Sequence, residues 1–291
     1  MSNNKLKQLL KKNKLIDAIS RIIFYPVFLY QMKKSDRAAN NRACGYIDSR
    51  YKWIKDLKDT HKNERCFIVA TGPSLTMEDL ELIKGEFSFG MNSVIKAFGK
   101  TEWRPNIYMI QDEYVYEKME DELSEISTRE KFLIAVGGAV PEKYASAKKY
   151  LPYAIHYLDH KMFHMKGYGK FKFSDNSYNV IFDAYTVTFS VLQLAVHMGF
   201  KEIYLLGCDC NYNQKKGHFI EYGHTDPKAA IMGDKMIAGH YEFQKFADAI
   251  GVKVVNCTRG GMLEAYPRMQ LEDVLKEKIN ENNCNCTNEI K

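Results

Sequence analysis

The residues best equipped for chemistry sit directly after three short apolar runs. Gly72, Pro73 and Ser74 follow the run Cys66–Ala70, Asp209 and Tyr212 follow Glu202–Leu206, and Asn256, Thr258 and Arg259 follow Val252–Val255. An apolar run that turns through Gly-Pro-Ser into a helix reads as a strand-turn-helix unit, and the first N–H groups of such a helix attract anions. A nucleotide phosphate or a sugar carboxylate is therefore expected over Thr71–Ser74. Thr76 with Asp79 is close to a capping box and starts the helix at Met77. Asp209, just past Gly207, suits a ribose hydroxyl, a metal or an acceptor hydroxyl, and it would equally cap the turn that follows. Arg259 offers a two-point clamp for phosphate or carboxylate. Asn92, and then Gln111 with Asp112, close two further runs and fit a phosphate, a sugar or a base edge. Thr186 and Thr188 open a helix, where they meet a donor carboxylate or simply cap it.

Neutral imidazole is the usual side chain for taking a proton from a hydroxyl near neutral pH. His218, His224 and His240 all follow the Asp209 run. The first two lie in a polar loop, where binding groups concentrate. His240 falls in a helical pattern beside Tyr241 and near Phe243, which a packed structural histidine also explains. Cys208-x-Cys210 and Cys284-x-Cys286 have no accompanying spaced Cys or His set, so no metal site is expected from them.

These groups need a frame that brings strand ends together. Candidate strands are 66–70, 86–90, 107–111, 132–136, 155–158, 202–206 and 252–255. Candidate helices are 51–59, 77–83, 117–126, 144–150, 187–198, 235–250 and 271–279. The alternation predicts an α/β, Rossmann-like, doubly wound and mostly parallel sheet with helices on both faces. In such sheets ligands sit outside the carboxyl ends of the strands, which puts Gly72, Ser74, Asp209 and Tyr212 on one rim. Segments 160–183 and 211–233 have neither period and read as active-site loops or a lid.

A chain of 291 residues with net charge +6 has ample length for one sizeable core and no strong basic bias, so a nucleic-acid partner is not expected. Seven cysteines, an odd number, argue for reduced thiols in the cytoplasm. The basic charge concentrates at the start, where KLKQLLKKNK precedes Ile22–Tyr30 and then Lys33, Lys34 and Arg37. That run is too short to span a bilayer and has no cleavage site. It fits either an anionic membrane surface, peripheral on the inner face, or packing against the chain's own core or a second subunit in a homo-oligomer. The expected organisation is a basic amphipathic helical extension over 1–60, a Rossmann-like domain over 61–280, and a disordered tail over 281–291.

TGPSL at 71–75, MNSV at 91–94, QDEY at 111–114, GFKEIYLLGCDCNY at 199–212, HF at 218–219 and NCTRGGMLE at 256–264 carry a resemblance. The set resembles a bacterial domain family that includes motility-associated flagellin glycosyltransferases and proteins similar to an archaeal 6-hydroxymethylpterin diphosphokinase. It is more distantly similar to the sialyltransferases of glycosyltransferase family 42. The resemblance covers about residues 64–270 and implies a single Rossmann-like domain using a CMP-sugar donor. In family 42 a Gly-rich turn and an Asn contact the nucleotide, matching Gly72–Ser74 and Asn92. Two tyrosines six residues apart hold the leaving phosphate there; Tyr212 keeps the first place and His218 stands in the second.

The resemblance implies a glycosyltransferase that moves a sialic or related nonulosonic acid from CMP to a cell-surface glycan by inverting displacement, with no cofactor. The alternatives are a diphosphokinase acting on a pterin-like alcohol with ATP and Mg²⁺, or a non-catalytic glycan-assembly partner.

Overall fold

The computed structural model describes residues 14–126, 133–136, 149–150, 153–154, 171–182, 185–212, 217–223 and 229–276. Its centre is a seven-stranded sheet in the order β5-β4-β3-β2-β1-β8-β9, parallel throughout. The strands are β1 Arg65–Val69, β2 Ser88–Met91, β3 Ile107–Ile110, β4 Leu133–Val136, β5 Lys149–Tyr150, β8 Glu202–Leu206 and β9 Lys253–Asn256. A two-stranded parallel sheet pairs β6 Tyr153–Ala154 with β7 Ile181–Phe182. The architecture is α/β and Rossmann-like, as the alternation of runs predicts.

Period-two alternation divides the sheet between two cores. Cys66, Ile68, Ile203, Leu205 and Val254 point to one face, which α6 (Val187–Met198) covers, with Phe243 and Ala247 of α7 (Ala229–Ala249) beside it. Phe67, Val69, Tyr204, Leu206 and Val255 point to the other. There they meet α3 (Met77–Leu82), a 3₁₀ turn at Asn92–Ala97, α4 (Glu113–Lys118) and α5 (Glu120–Ile126). Strands covered on both faces have no solvent side, which is why they read as continuous apolar runs.

Helix α6 shows why its ends fall where they do. Thr186 caps it by accepting the Thr188 N–H at 3.3 Å, and Gly199 ends it in the left-handed region at φ 95°. All but one of its residues are buried, as a helix between sheet and outer layer must be. The short helix α2 (Lys52–Asp56) buries Ile54 completely, and Asp59, His61 and Asn63 donate backbone N–H groups to the carbonyls of His197, Met198 and Gly199. The segment just before β1 is thus bound into the sheet's outer layer.

Two expectations need correction. The helix expected over 144–150 does not hold at its last two residues, since Lys149–Tyr150 is a strand paired with β4, and 144–148 lie outside the described residues. The segment 160–183, read as loop, contains β7. Two-residue strands are too short to show a period. The candidate strand 155–158 lies outside the described residues, as does the tail 281–291.

Upstream, α1 (Lys14–Ala43) is one thirty-residue helix with Pro26 inside it. Among the described residues no helix is long and apolar enough to cross a membrane.

Candidate functional site

β1 and β8 are neighbours, yet the chain reaches β8 only after building β2 to β5 on the other side of β1. The connections after them therefore lead to opposite sides of the sheet, and in open α/β sheets the carboxyl ends at such a switch point are the usual ligand crevice. The loop after β1 and the loop after β8 are stitched together there. Gly72 N–H donates to the Gly207 carbonyl at 2.8 Å, and Ser74 Oγ donates to Asp209 Oδ2 at 2.7 Å.

Asp209 is only 4 % exposed and lies against the backbone of Gly72. A Cβ on Gly72 would stand 1.9 Å from Asp209 Oδ2 and 2.5 Å from the Gly207 carbonyl oxygen, so only glycine allows this approach. Burial raises the Asp209 pKa above its ordinary value. The Ser74 hydroxyl, the Ser74 and Asp209 backbone N–H groups and the nearby Arg268 charge pull it back in part.

This geometry corrects the expectation that the Thr71–Ser74 turn offers free N–H groups to a phosphate. Gly72 N–H is bonded to Gly207, Ser74 N–H to the Asp209 carboxylate, and Leu75 N–H to the Gly72 carbonyl. Pro73 has no N–H. The capping box of α3 engages two more, with Asp79 N–H on Thr76 Oγ1 and Thr76 N–H on Asp79 Oδ2. The carboxylate of Asp209 occupies the place expected for the anion.

The loop after β9 supports Asp209 from below. Thr258 Oγ1 accepts the Cys208 N–H at 2.9 Å, and Asn256 Oδ1 accepts the Thr258 N–H at 3.0 Å. Asn256 Nδ2 donates to the Leu263 carbonyl at 2.8 Å. Met262 N–H donates to the Asp209 carbonyl at 2.7 Å, and a Cβ on Gly261 would come within 2.7 Å of the same backbone. Asn256 and Thr258 thus shape the crevice rather than line it. Arg259 is also engaged: its guanidinium bonds the buried Asp79 at 2.6 Å and Glu272 at 3.1 Å. It ties this loop to the start of α3.

On the opposite side of β1, Asn92 closes β2 in the left-handed region at φ 47°. The Tyr108 hydroxyl donates to its carbonyl at 2.6 Å, which fixes the backbone in that conformation. The side-chain Oδ1 of Asn92 is buried without a hydrogen-bond partner. A strained backbone holding an unsatisfied amide is unusual away from function. Gln111 Oε1 accepts the Ser190 hydroxyl at 3.0 Å, and Asp112 caps α4 by accepting the Val115 N–H at 3.0 Å. Thr186 is the α6 cap, and Thr188 is buried with its hydroxyl on Met91 Sδ at 3.6 Å.

The segment 217–223 arches over the first turn, anchored where Phe219 N–H donates to the Thr71 carbonyl at 2.7 Å. Glu221 accepts the Gly217 and His218 N–H groups at 2.8 and 3.0 Å, which holds His218 in place. The His218 ring packs on Tyr222, centroids 4.8 Å apart. Burial raises the Tyr222 pKa, and Asp112, Glu221 and Tyr114 add to the rise. Burial likewise raises the Tyr212 pKa, with Tyr222 and Asp209 among the added charges, so Tyr212, Tyr222, Asp112 and Asp209 share one electrostatic neighbourhood. The Tyr212 hydroxyl itself donates to Met236 Sδ at 3.4 Å. His224 lies outside the described residues.

His240 is elsewhere. It is 1 % exposed, its Nδ1 pairs with the Tyr266 hydroxyl at 2.8 Å, and its ring packs on Phe189. Burial pushes its pKa down to about 3. Enclosed in this way, it cannot exchange a proton with an acceptor in the crevice, and its place is the core.

A model of the 6-hydroxymethylpterin diphosphokinase MptE-like family matches residues 45–215. The chain belongs to this family. No curated protein matches it. The MptE-like span runs from just before α2 to just past β8 and includes the Gly72 turn, Asn92, Gln111, Asp112, Thr186, Thr188, Asp209 and Tyr212. His218, His224, His240, Asn256, Thr258 and Arg259 fall beyond it. The match therefore spans the loops after β1 and β8, while the arch carrying His218 lies outside it. Tyr222, Arg268 and the Ser190–Gln111 bond were not singled out from sequence. Tyr222 stands four residues after His218 in a polar loop, and an aromatic residue there is the one signal that pointed to it.

Proposed function

We propose that this MptE-like protein is a glycosyltransferase that moves a sugar from a CMP-activated donor, a sialic or related nonulosonic acid, to a surface glycan by single inverting displacement. The observation that carries the reading is the desolvated Asp209 carboxylate at the β1/β8 crevice, with the unsatisfied Asn92 amide on one side and the His218 arch above. An acceptor hydroxyl attacks the anomeric carbon, and the bond from that carbon to the CMP phosphate breaks with its electron pair leaving on phosphate. Asp209 takes the hydroxyl proton, since a raised carboxyl pKa makes a better base near neutral pH. His218 donates to the departing phosphate in the place of a second tyrosine, and Asn92 bonds the nucleotide.

The family's description favours a second reading, a diphosphokinase that transfers the pyrophosphoryl group of ATP to a pterin-like alcohol. Mg²⁺ arriving with phosphates asks for one or two protein carboxylates, which Asp209 would supply. Thermal denaturation with CMP, UDP, and ATP with and without Mg²⁺ separates the two. A ligand at about 100 times its Kd stabilises the fold by about 2.7 kcal/mol, a rise of several degrees. A rise with CMP alone supports the transferase. A rise with ATP and Mg²⁺ alone overturns it in favour of the kinase, and no rise with any of the three leaves the pocket a non-catalytic partner's.

A further inference from the structure

Helix α1 carries an apolar stripe that the described body leaves in solvent. Ile19, Ile22, Ile23, Leu29 and Tyr30 are 48, 66, 65, 36 and 69 % exposed. Their steps of three, four and seven residues set them on one face of the helix, and Lys33, Lys34 and Arg37, also exposed, continue that face through the next two turns. The helix is held to the body at its far end. Buried Arg42 donates its Nε and Nη2 groups to the Asn179 carbonyl at 3.0 and 2.5 Å and lies over the Tyr51 ring. The stripe therefore stands on an arm with a fixed root.

Charge decides what covers it. Residues 1–43 hold ten basic and two acidic residues, whereas the whole chain is only +6, so everything after residue 43 is net negative by two. All the excess positive charge belongs to residues 1–43, and six of those ten basic residues lie in α1 itself. A second copy would bring the same positive face against it and repel it. An anionic lipid surface offers an apolar boundary layer and the opposite charge together.

We infer that α1 docks the protein on an anionic bilayer, with Ile19, Ile22, Ile23, Leu29 and Tyr30 in the acyl boundary and Lys33, Lys34 and Arg37 among the headgroups. This rests on α1 alone and is independent of the reaction in the crevice.

The test is sedimentation of the full chain with vesicles of phosphatidylcholine and phosphatidylglycerol in equal parts, beside vesicles of phosphatidylcholine alone. Binding is expected to the mixed vesicles only, and to weaken as salt screens the charges. Lys33→Gln, Lys34→Gln and Arg37→Gln together should lower the partition coefficient roughly 100-fold, about a factor of five for each residue. Ile22→Asp with Ile23→Asp should abolish it. Both sets lie at exposed positions, and an unchanged melting temperature confirms that they leave the body folded. Absence of binding, or equal binding to both vesicles, overturns the inference. So does a wild-type dimer that the Ile22/Ile23 variant splits while vesicles remain unbound, because the stripe then belongs to a second copy.

Discussion

Ser74 and Asp209 lie 135 residues apart in the chain and meet at 2.7 Å across the seam between β1 and β8. The contact depends on the pairing of β1 with β8, since each residue lies just past one of those strands. The contact also sets the character of the crevice. Burial raises the Asp209 pKa and Ser74 offsets only part of the rise, so the ionised carboxylate opposes folding. A carboxylate kept in a cleft against its own desolvation is a mark of function more than of stability.

That sign gives the first prediction. The folded pKa of Asp209 lies above its ordinary value of 3.8, so the folded state holds the proton longer than the unfolded chain does. Stability from this group falls as pH rises from about that value to the raised folded pKa, and stays lower above it. Asp209→Asn should therefore melt higher than the wild type at neutral pH, with the gain vanishing below about pH 4. Turnover should fall by roughly 10²-fold or more. Melting curves against pH with initial rates check both, and wild-type turnover in the variant removes Asp209 from the proton transfer.

Gly72→Ala tests the packing directly. The new Cβ would meet Asp209 Oδ2 at 1.9 Å and the backbone oxygen of Gly207 at 2.5 Å, and the backbone has nowhere to go. A loss of about 1–3 kcal/mol is expected in urea denaturation, together with loss of nucleotide binding. Gly99→Ala, with nothing within 4 Å of its Cβ, is the control and should change stability by less than about 0.5 kcal/mol. Equal effects at the two positions would contradict the close approach at Gly72.

Much of the frame is legible in the sequence because local signals suffice for it. Glu202–Leu206 and Val187–Met198 have the bounds that their apolar runs and the Thr186 and Gly199 signals predict. The crevice floor follows from three polar strand ends in a parallel sheet. What the sequence hides is long-range pairing. Arg259 looks like an anion clamp because guanidinium chemistry is the same for a ligand and for a protein carboxylate, and Asp79 is 180 residues away. The Gly72 turn looks like a phosphate loop for the same reason. Its N–H groups do bind a carboxylate and a carbonyl, and both belong to the loop after β8.

The Arg259 finding is testable as a split between stability and binding. Arg259→Ala should destabilise the protein by about 1–2 kcal/mol, a figure reduced for its exposed side, because Asp79 stays buried without its partner. Nucleotide affinity measured by calorimetry should remain within about twofold, the span of a few tenths of a kcal/mol. A tenfold loss of affinity at unchanged stability would return Arg259 to the ligand.

His240 predicts an acid limb. Its folded pKa of about 3 lies below the ordinary 6.5, so the neutral ring is the one the fold accepts. Stability from this group is full above pH 6.5 and is lost as pH falls from there towards about 3. The slope is roughly 1.36 kcal/mol per pH unit for one proton. His240→Phe with Tyr266→Phe removes both polar ends of the buried pair and should flatten that limb while leaving turnover at neutral pH nearly unchanged. An acid limb as steep as the wild type's would mean that another group causes it.

His218 carries the last prediction, because it stands outside the family match and yet lies in the segment anchored on the Thr71 carbonyl. The proposed mechanism gives the hydroxyl proton to Asp209 and the departing phosphate to His218. Loss of a hydrogen bond to a charged group costs about 1.5–3 kcal/mol, so His218→Ala should weaken CMP binding roughly 10- to 100-fold. His218→Tyr should restore most of the binding and of the turnover, since a phenol donates to phosphate as well as an imidazole does. Asn92→Ala should weaken CMP binding by a similar factor through a separate contact. The opposite pattern for His218→Ala, turnover down by roughly 10²- to 10⁴-fold with CMP affinity intact, would make His218 the base and leave Asp209 as its neighbour. His224→Ala belongs in the same series: if it alone shows that pattern, the base lies in the segment after the arch, and the roles of Asp209 and His218 are both reduced to binding.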